Sequence, residues 1–263
     1  MERPRALLID IDGVLVTSWV ALPGAVDALR TVRRAGVPVR FLTNTTSRTL
    51  AQITESLRAA GFEAHEDEVL TAASAAVDHL RGRHPGARCL LLNSGDVSAD
   101  LSSITLVGDD CPPEDVDVVI IGGAGPDFSY EAMNRALSCL LAGAALVAMH
   151  RNLLWRTSAG LQLDTGAYVI GLERAAGVAA TVVGKPAPAM FEAALTGLGV
   201  AEREAAMVGD DLDSDTRAAQ LLGITGVQVR TGKFRVEQLD DGGAPPDVIV
   251  DSFADVPARL ALA

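Results

Sequence analysis

LLIDIDGVLV, residues 7–16, is apolar except for Asp10 and Asp12, two carboxylates separated by one residue. The run ALLID (6–10) has the length and aliphatic density of a strand buried on both faces. Both acids fall where that strand runs out, and Gly13 behind them permits a tight turn and close approach of a ligand to the backbone. Two acids so close repel each other, and each loses hydration on burial. A cation is therefore expected among them.

Working outward, GAVDALRTVRRAG (24–36) has helical period and closes at Gly36, VRFLT (39–43) reads as a second strand, and a helix over about 48–60 closes at Gly61. The alternation returns near the other end. TVVGK (181–185), a helix over 188–198, AAMVGD (205–210), a helix over about 214–222, GVQV (226–229) and DVIV (247–250) follow in turn. Crossovers of this length place strand C-termini on one edge of a sheet, where ligands of open α/β sheets bind. Between the two blocks lie further strands at about 88–92, 116–122 and 145–149 and a helix near 130–141, interrupted by the turn-rich NSGDVSADLSS (93–103) and GGAGPDFS (122–129). The expected fold is α/β, a doubly wound parallel sheet in which residues 1–75 and 181–263 build one core around an inserted α/β domain, residues 76–180.

A chain of 263 residues with 49% hydrophobic side chains supplies a core readily. Aromatic residues are only 4%, so Ala, Leu and Val carry the packing. With 22 basic against 34 acidic side chains the formal net charge is −12, which opposes general attraction to nucleic acid or an anionic membrane. The N-terminal MERPRALLID lacks the features of a signal peptide, and no window approaches the ~20 apolar residues that span a bilayer, so a cytoplasmic protein is expected. Cys89, Cys111 and Cys139 are far apart and without neighbouring histidines, which points to buried free thiols instead of a disulfide or zinc framework.

Polar residues gather at four expected strand ends. Asp10, Asp12 and Gly13 form the first group. FLTNTTS (41–47) supplies Thr43 and Asn44, which suit either helix capping or phosphate oxygens. Lys185 closes an apolar strand ahead of Pro186 and Pro188. MVGDDLDSD (207–215) carries four acids in six positions from Asp210 to Asp215, more than capping requires. A divalent cation held by Asp10 and Asp210, with Asp215 acting through water, would offset their repulsion. Asp211 and Asp213 read as capping or solvated residues.

In order and spacing, Asp10-Ile11-Asp12-Gly13-Val14-Leu15, Thr43-Asn44, Gly184-Lys185-Pro186 and Gly209-Asp210 with Asp215 resemble the four motifs of the haloacid dehalogenase superfamily of phosphohydrolases. The long insert between the second and third motifs is similar to the subfamily that carries a C2-type cap. The resemblance implies a magnesium-dependent phosphatase for a small phosphorylated substrate, with Asp10 as nucleophile and Asp12 as general acid and base. It further implies Mg2+ bound by the side chains of Asp10 and Asp210 and the main-chain carbonyl of Asp12, with Asp215 orienting metal-bound water. Lys185, Thr43, Asn44 and the backbone N–H groups around Gly13 match its phosphate-binding parts. LDTGAYV (163–169) lies where relatives have a substrate-facing loop, making Asp164, Thr165 and Gly166 candidates, with Trp155, Arg156 and His150 as weaker ones. Capped relatives also pair through the insert, so a homodimer is an expected assembly.

Three other readings use the same residues. A phosphoacceptor of the response-regulator kind needs neither the insert nor an acid at Asp12. A phosphotransferase would pass the phosphoryl group to an alcohol. A catalytically idle binding protein would have no use for the intact set of Asp10, Asp12, Lys185 and Asp210.

Overall fold

The computed structural model describes residues 3–157 and 160–262 and divides into two compact units. One comprises the chain up to Thr43, Ala51–Leu70 and Lys185 onward; the other comprises Asn44–Leu50 and Thr71–Gly184.

The first unit is built on a six-stranded sheet in the order Val248–Val250, Thr225–Val229, Ala205–Gly209, Ala6–Asp10, Val39–Thr43, Val69–Thr71. The central pairings are parallel: Leu8 lies opposite Met207 on one side and Arg40 on the other, and Asp10 opposite Leu42. Every residue of Ala6–Asp10 and Ala205–Gly209 is buried, which explains why neither strand alternates polar with apolar positions. From Ala6–Asp10 the chain first steps to one side of the sheet and later returns on the other. The winding direction reverses at that strand, so the edge beside Asp10 is the switch point where such sheets bind ligands.

Helices cover the faces. Ala25–Arg34 buries Ala25, Ala28, Leu29 and Val32, one stripe at helical spacing, and Gly36 takes the left-handed conformation (φ 71°) just beyond its end. On one face of the sheet Leu8, Leu42 and Met207 pack with Met190, Phe191, Ala194 and Leu195 of the helix Pro188–Thr196. Burying a side chain such as Phe191 contributes about 1.5–3 kcal/mol.

The segment expected as a helix over 214–222 is a π-helical stretch, Leu212–Arg217, continued by a short α-helix, Ala218–Leu221. Its first turn is widened because Asp211, as N-cap, accepts from the N–H groups of Asp213 and Ser214 while its carbonyl receives the Thr216 N–H five residues on.

The second unit has its own parallel five-stranded sheet, in the order Thr181–Val182, Ala145–Ala148, Val118–Ile121, Arg88–Leu92, Thr105–Leu106. The strand read from TVVGK thus pairs with Ala145–Ala148 in this sheet. Short aliphatic runs carry no mark of which sheet they join. Apolar clusters cover both faces, with Val119 and Ile121 on one and Val118 and Ile120 on the other. LDTGAYV does not form a loop: it opens the helix Thr165–Ala176, with Asp164 as its N-cap. Among the described residues no helix is long and apolar enough to cross a membrane.

Candidate active site

Four charged side chains converge at the switch point of the first unit. Asp10 ends its strand, Asp210 follows directly on Ala205–Gly209, Asp215 lies in the π-helical stretch, and Lys185 begins the returning segment. All four are buried. Lys185 Nζ lies 2.6 Å from Asp10 Oδ1 and 2.7 Å from Asp215 Oδ1. Carboxylate oxygens of Asp10, Asp210 and Asp215 all fall within 4.8 Å of one another.

Local sequence explains how acids so close can be placed. Gly13 and Gly232 both have positive φ (81° and 65°), and a Cβ on either would meet Asp210 Oδ2 at 2.1 or 1.9 Å. That oxygen therefore sits against bare backbone, where it accepts the Lys233 N–H at 2.8 Å. Thr231 Oγ1 donates to the Gly13 carbonyl and ties the two glycine turns together. Asp211 turns away to cap the π-helical stretch, and the exposed Asp213 pairs with Arg217 at 2.8 Å, so both act as local anchors.

Burying three carboxylates with one ammonium leaves an uncompensated negative charge. Burial, then Asp10 and Asp215, push the Asp210 carboxyl well above the usual carboxylate range. Burial also pushes Asp215 up to about 7, against the pull of Lys185. Lys185 shows the reverse balance: burial disfavours its charge, but Asp10 and Asp215 outweigh it and hold the ammonium above the ordinary lysine range. Half-exposed Lys233, 3.4 Å from Asp211 Oδ2, is likewise raised by Asp211 and Asp210 against the effect of burial.

The donor set fits a hard divalent cation. Asp210 Oδ1 is buried and has no hydrogen-bond partner among the described residues, while Oδ2 of the same group is held by backbone. A buried carboxylate oxygen left without a donor is costly unless a cation faces it. All nearby donors are oxygens, as Mg2+ requires.

The other expected residues are distributed as follows. Asp12 is half-buried in the turn that bridges to Val16, and Thr43 is buried at the end of Val39–Thr43. Asn44 falls in the second unit, where a Cβ on Gly184 would meet its Oδ1 at 2.6 Å. Asp164, Thr165 and Gly166 are buried in the second unit: Asp164 Oδ1 accepts the Thr165 N–H at 2.8 Å, and Thr165 Oγ1 donates to the Gly122 carbonyl and lies 3.4 Å from His150 Nε2. The side chains of Trp155 and Arg156 lie outside the described residues. No site role is expected from the sequence for Thr231, Gly232 and Lys233, which close over Asp210. Their signal is a glycine turn flanked by Thr and Lys at one more strand end, one residue beyond Thr225–Val229.

Comparison with known proteins agrees with this geometry. The family model for haloacid dehalogenase-like hydrolase matches residues 7–106, and a second, HAD-hydrolase-like, matches residues 182–256. The chain is 36% identical to human haloacid dehalogenase-like hydrolase domain-containing protein 2 over 249 residues, covering 95% of this chain and 93% of the relative. It is 36% identical to human phospholysine phosphohistidine inorganic pyrophosphate phosphatase over 257 residues, covering 95% and 92%. The solved p-nitrophenyl phosphatase from Archaeoglobus fulgidus superposes with a TM-score of 0.89 at 26% identity, over 98% of this chain and 99% of that one. With acids, lysine and glycine turns in the order that the family's motifs require, the chain belongs to the haloacid dehalogenase-like hydrolases.

Proposed function

We propose that this enzyme is a magnesium-dependent phosphatase that hydrolyses a small phosphorylated substrate through an aspartyl phosphate on Asp10. The observation that carries the reading is the convergence of the Asp10, Asp210 and Asp215 carboxylates, with Lys185 on Asp10. The names of the relatives, phosphatases acting on phosphoamino acids and pyrophosphate or on p-nitrophenyl phosphate, support a phosphorylated substrate.

Asp10 and Asp210, with the main-chain carbonyl of Asp12, would hold Mg2+, and Asp215 would orient its water. The ion would supply positive charge against the phosphate oxygens and the neighbouring acids.

In the first step an Asp10 oxygen forms a bond to phosphorus as the bond to the leaving oxygen breaks, and Asp12 gives that oxygen its proton. In the second, water attacks the same phosphorus, its proton passes to Asp12, and the Asp10–phosphorus bond breaks to release phosphate. Lys185 keeps Asp10 aimed and faces the negative charge that spreads over the transferring group. Thr43 and the N–H groups at Gly13 would supply further donors to the phosphate.

Initial rates with p-nitrophenyl phosphate test the reading. Phosphate release is expected with Mg2+, abolished by a chelator and reduced at least about a thousandfold in Asp10→Asn. Undiminished release by Asp10→Asn would refute the nucleophile.

A further inference from the structure

Gln228 is a wholly buried amide inside Thr225–Val229, a strand whose neighbouring positions are Val227 and Val229. An apolar side chain would fill the space without the cost of burying an amide. Every polar atom of this one is nevertheless satisfied. Its Nε2 donates to the Asp210 carbonyl at 2.7 Å and to the Val229 carbonyl at 2.9 Å, and its Oε1 accepts from Thr216 Oγ1 at 2.8 Å. Two carbonyl oxygens at one end admit only the NH2 group there, so the hydrogen bonds fix the orientation of the amide.

The partners form a ring. Thr216 is also wholly buried and directly follows Asp215. The Asp211 N–H, on the other side of the Asp210–Asp211 peptide, donates to Asp215 Oδ2 at 3.2 Å. That single peptide is therefore gripped at its carbonyl by Gln228 and at its amide by Asp215, and Thr216 links the two grips. With Asp210 Oδ2 already held by the Lys233 N–H, the peptide's orientation is what remains to set the direction of Asp210 Oδ1. A network closed in this way holds one geometry, because each broken member strands a buried polar atom.

We propose that Gln228 and Thr216 are positioning residues that fix where the carboxylates of Asp210 and Asp215 lie in the metal site. The inference rests on the Mg2+ site proposed above. Neither residue touches substrate or metal; each acts through the 210–211 peptide.

The test is Mg2+ binding by the full chain without substrate, followed by isothermal titration calorimetry, with melting temperatures taken in a chelator as a check on folding. Thr216→Val removes the hydroxyl at nearly constant volume, and Gln228→Met removes the amide. Each is expected to weaken Mg2+ binding about tenfold or more, while Thr216→Ser, which keeps the hydroxyl, stays within about threefold of the parent chain. If the substituted chains do not fold, the parent chain still decides the question: its Gln228 Nε2–H NMR signals are expected to shift on Mg2+ addition with the same midpoint as the Asp211 amide. Folded Thr216→Val and Gln228→Met that bind Mg2+ as tightly as the parent, or Gln228 signals indifferent to Mg2+, would overturn the positioning role. A parent chain that binds no Mg2+ would instead overturn the metal reading on which it rests.

Discussion

Gly209 and Asp215 occupy one space. A Cβ on the glycine would fall 2.1 Å from Asp215 Cβ and 2.4 Å from its Oδ2. Gly209→Ala is therefore expected to destabilise the chain by about 1–3 kcal/mol through overpacking. It should also displace Asp215 from Lys185 and from the Asp211 N–H, lowering phosphatase activity about tenfold or more. Denaturant unfolding and initial rates measure the two effects, and parental activity in this variant would contradict the placement of Asp215.

Lys185 compensates two buried acids at once. Removing one partner of such a cluster leaves charge with neither water nor counter-ion. Lys185→Met should cost about 3–5 kcal/mol in chemical denaturation carried out in a chelator. A loss within the ~0.5 kcal/mol typical of surface substitutions would show that the cluster is better hydrated than its burial implies.

Arg217 anchors the π-helical stretch that carries Asp215 by donating to Asp241, Asp213 and the carbonyls of Gln238 and Ala244. Hydrogen bonding from Arg217 brings the Asp241 carboxyl down to about 2. Because the folded value lies below the ordinary carboxylate value of about 3.9, the contribution to stability is complete above that pH and is lost as pH falls toward 2. Carboxyl carbon NMR should show Asp241 titrating near the lower value in the parent chain and near 4 in Arg217→Met. The same titration midpoint in both would remove Arg217 as the cause.

All three cysteines are buried and unpaired. Burial pushes the Cys89 thiol up to about 11, and burial also raises Cys139, which leaves little thiolate near neutral pH. Iodoacetamide should leave the native chain unmodified over a period that alkylates all three positions after unfolding. Rapid native labelling at Cys89 would contradict its packing.

Asp10, Lys185 and Asp210 stand out in the sequence because each breaks an apolar run at or just beyond an expected strand end, where charge needs a partner, and Asp215 because it is the fourth acid in six positions. The parallel sheet was legible for the same reason, since its strands are uninterrupted aliphatic runs. The contact of Thr231, Gly232 and Lys233 with the site was not, because a glycine turn without an acid looks like any connector until Asp210 is seen lying against it. Gln228 acts on a main-chain carbonyl, which no side-chain pattern reveals. Capping by Asp211 is expected from its residue type, but the widened turn over Leu212–Arg217 escapes helical periodicity because a cap does not reveal the width of the turn it opens. LDTGAYV falls where relatives have a substrate-facing loop, yet Asp164 is a standard capping residue type, and the half-buried helix Thr165–Ala176 follows from that cap.

The most direct test is to trap the phosphorylated enzyme. Borohydride added during steady turnover of p-nitrophenyl phosphate reduces an acyl phosphate to an alcohol, and peptide mass spectrometry then locates it. The expected result is homoserine at position 10, dependent on Mg2+ and absent in Asp10→Asn. Active enzyme that retains an unmodified Asp10 under these conditions, with the reduced residue at another acid or at none, would contradict the assignment.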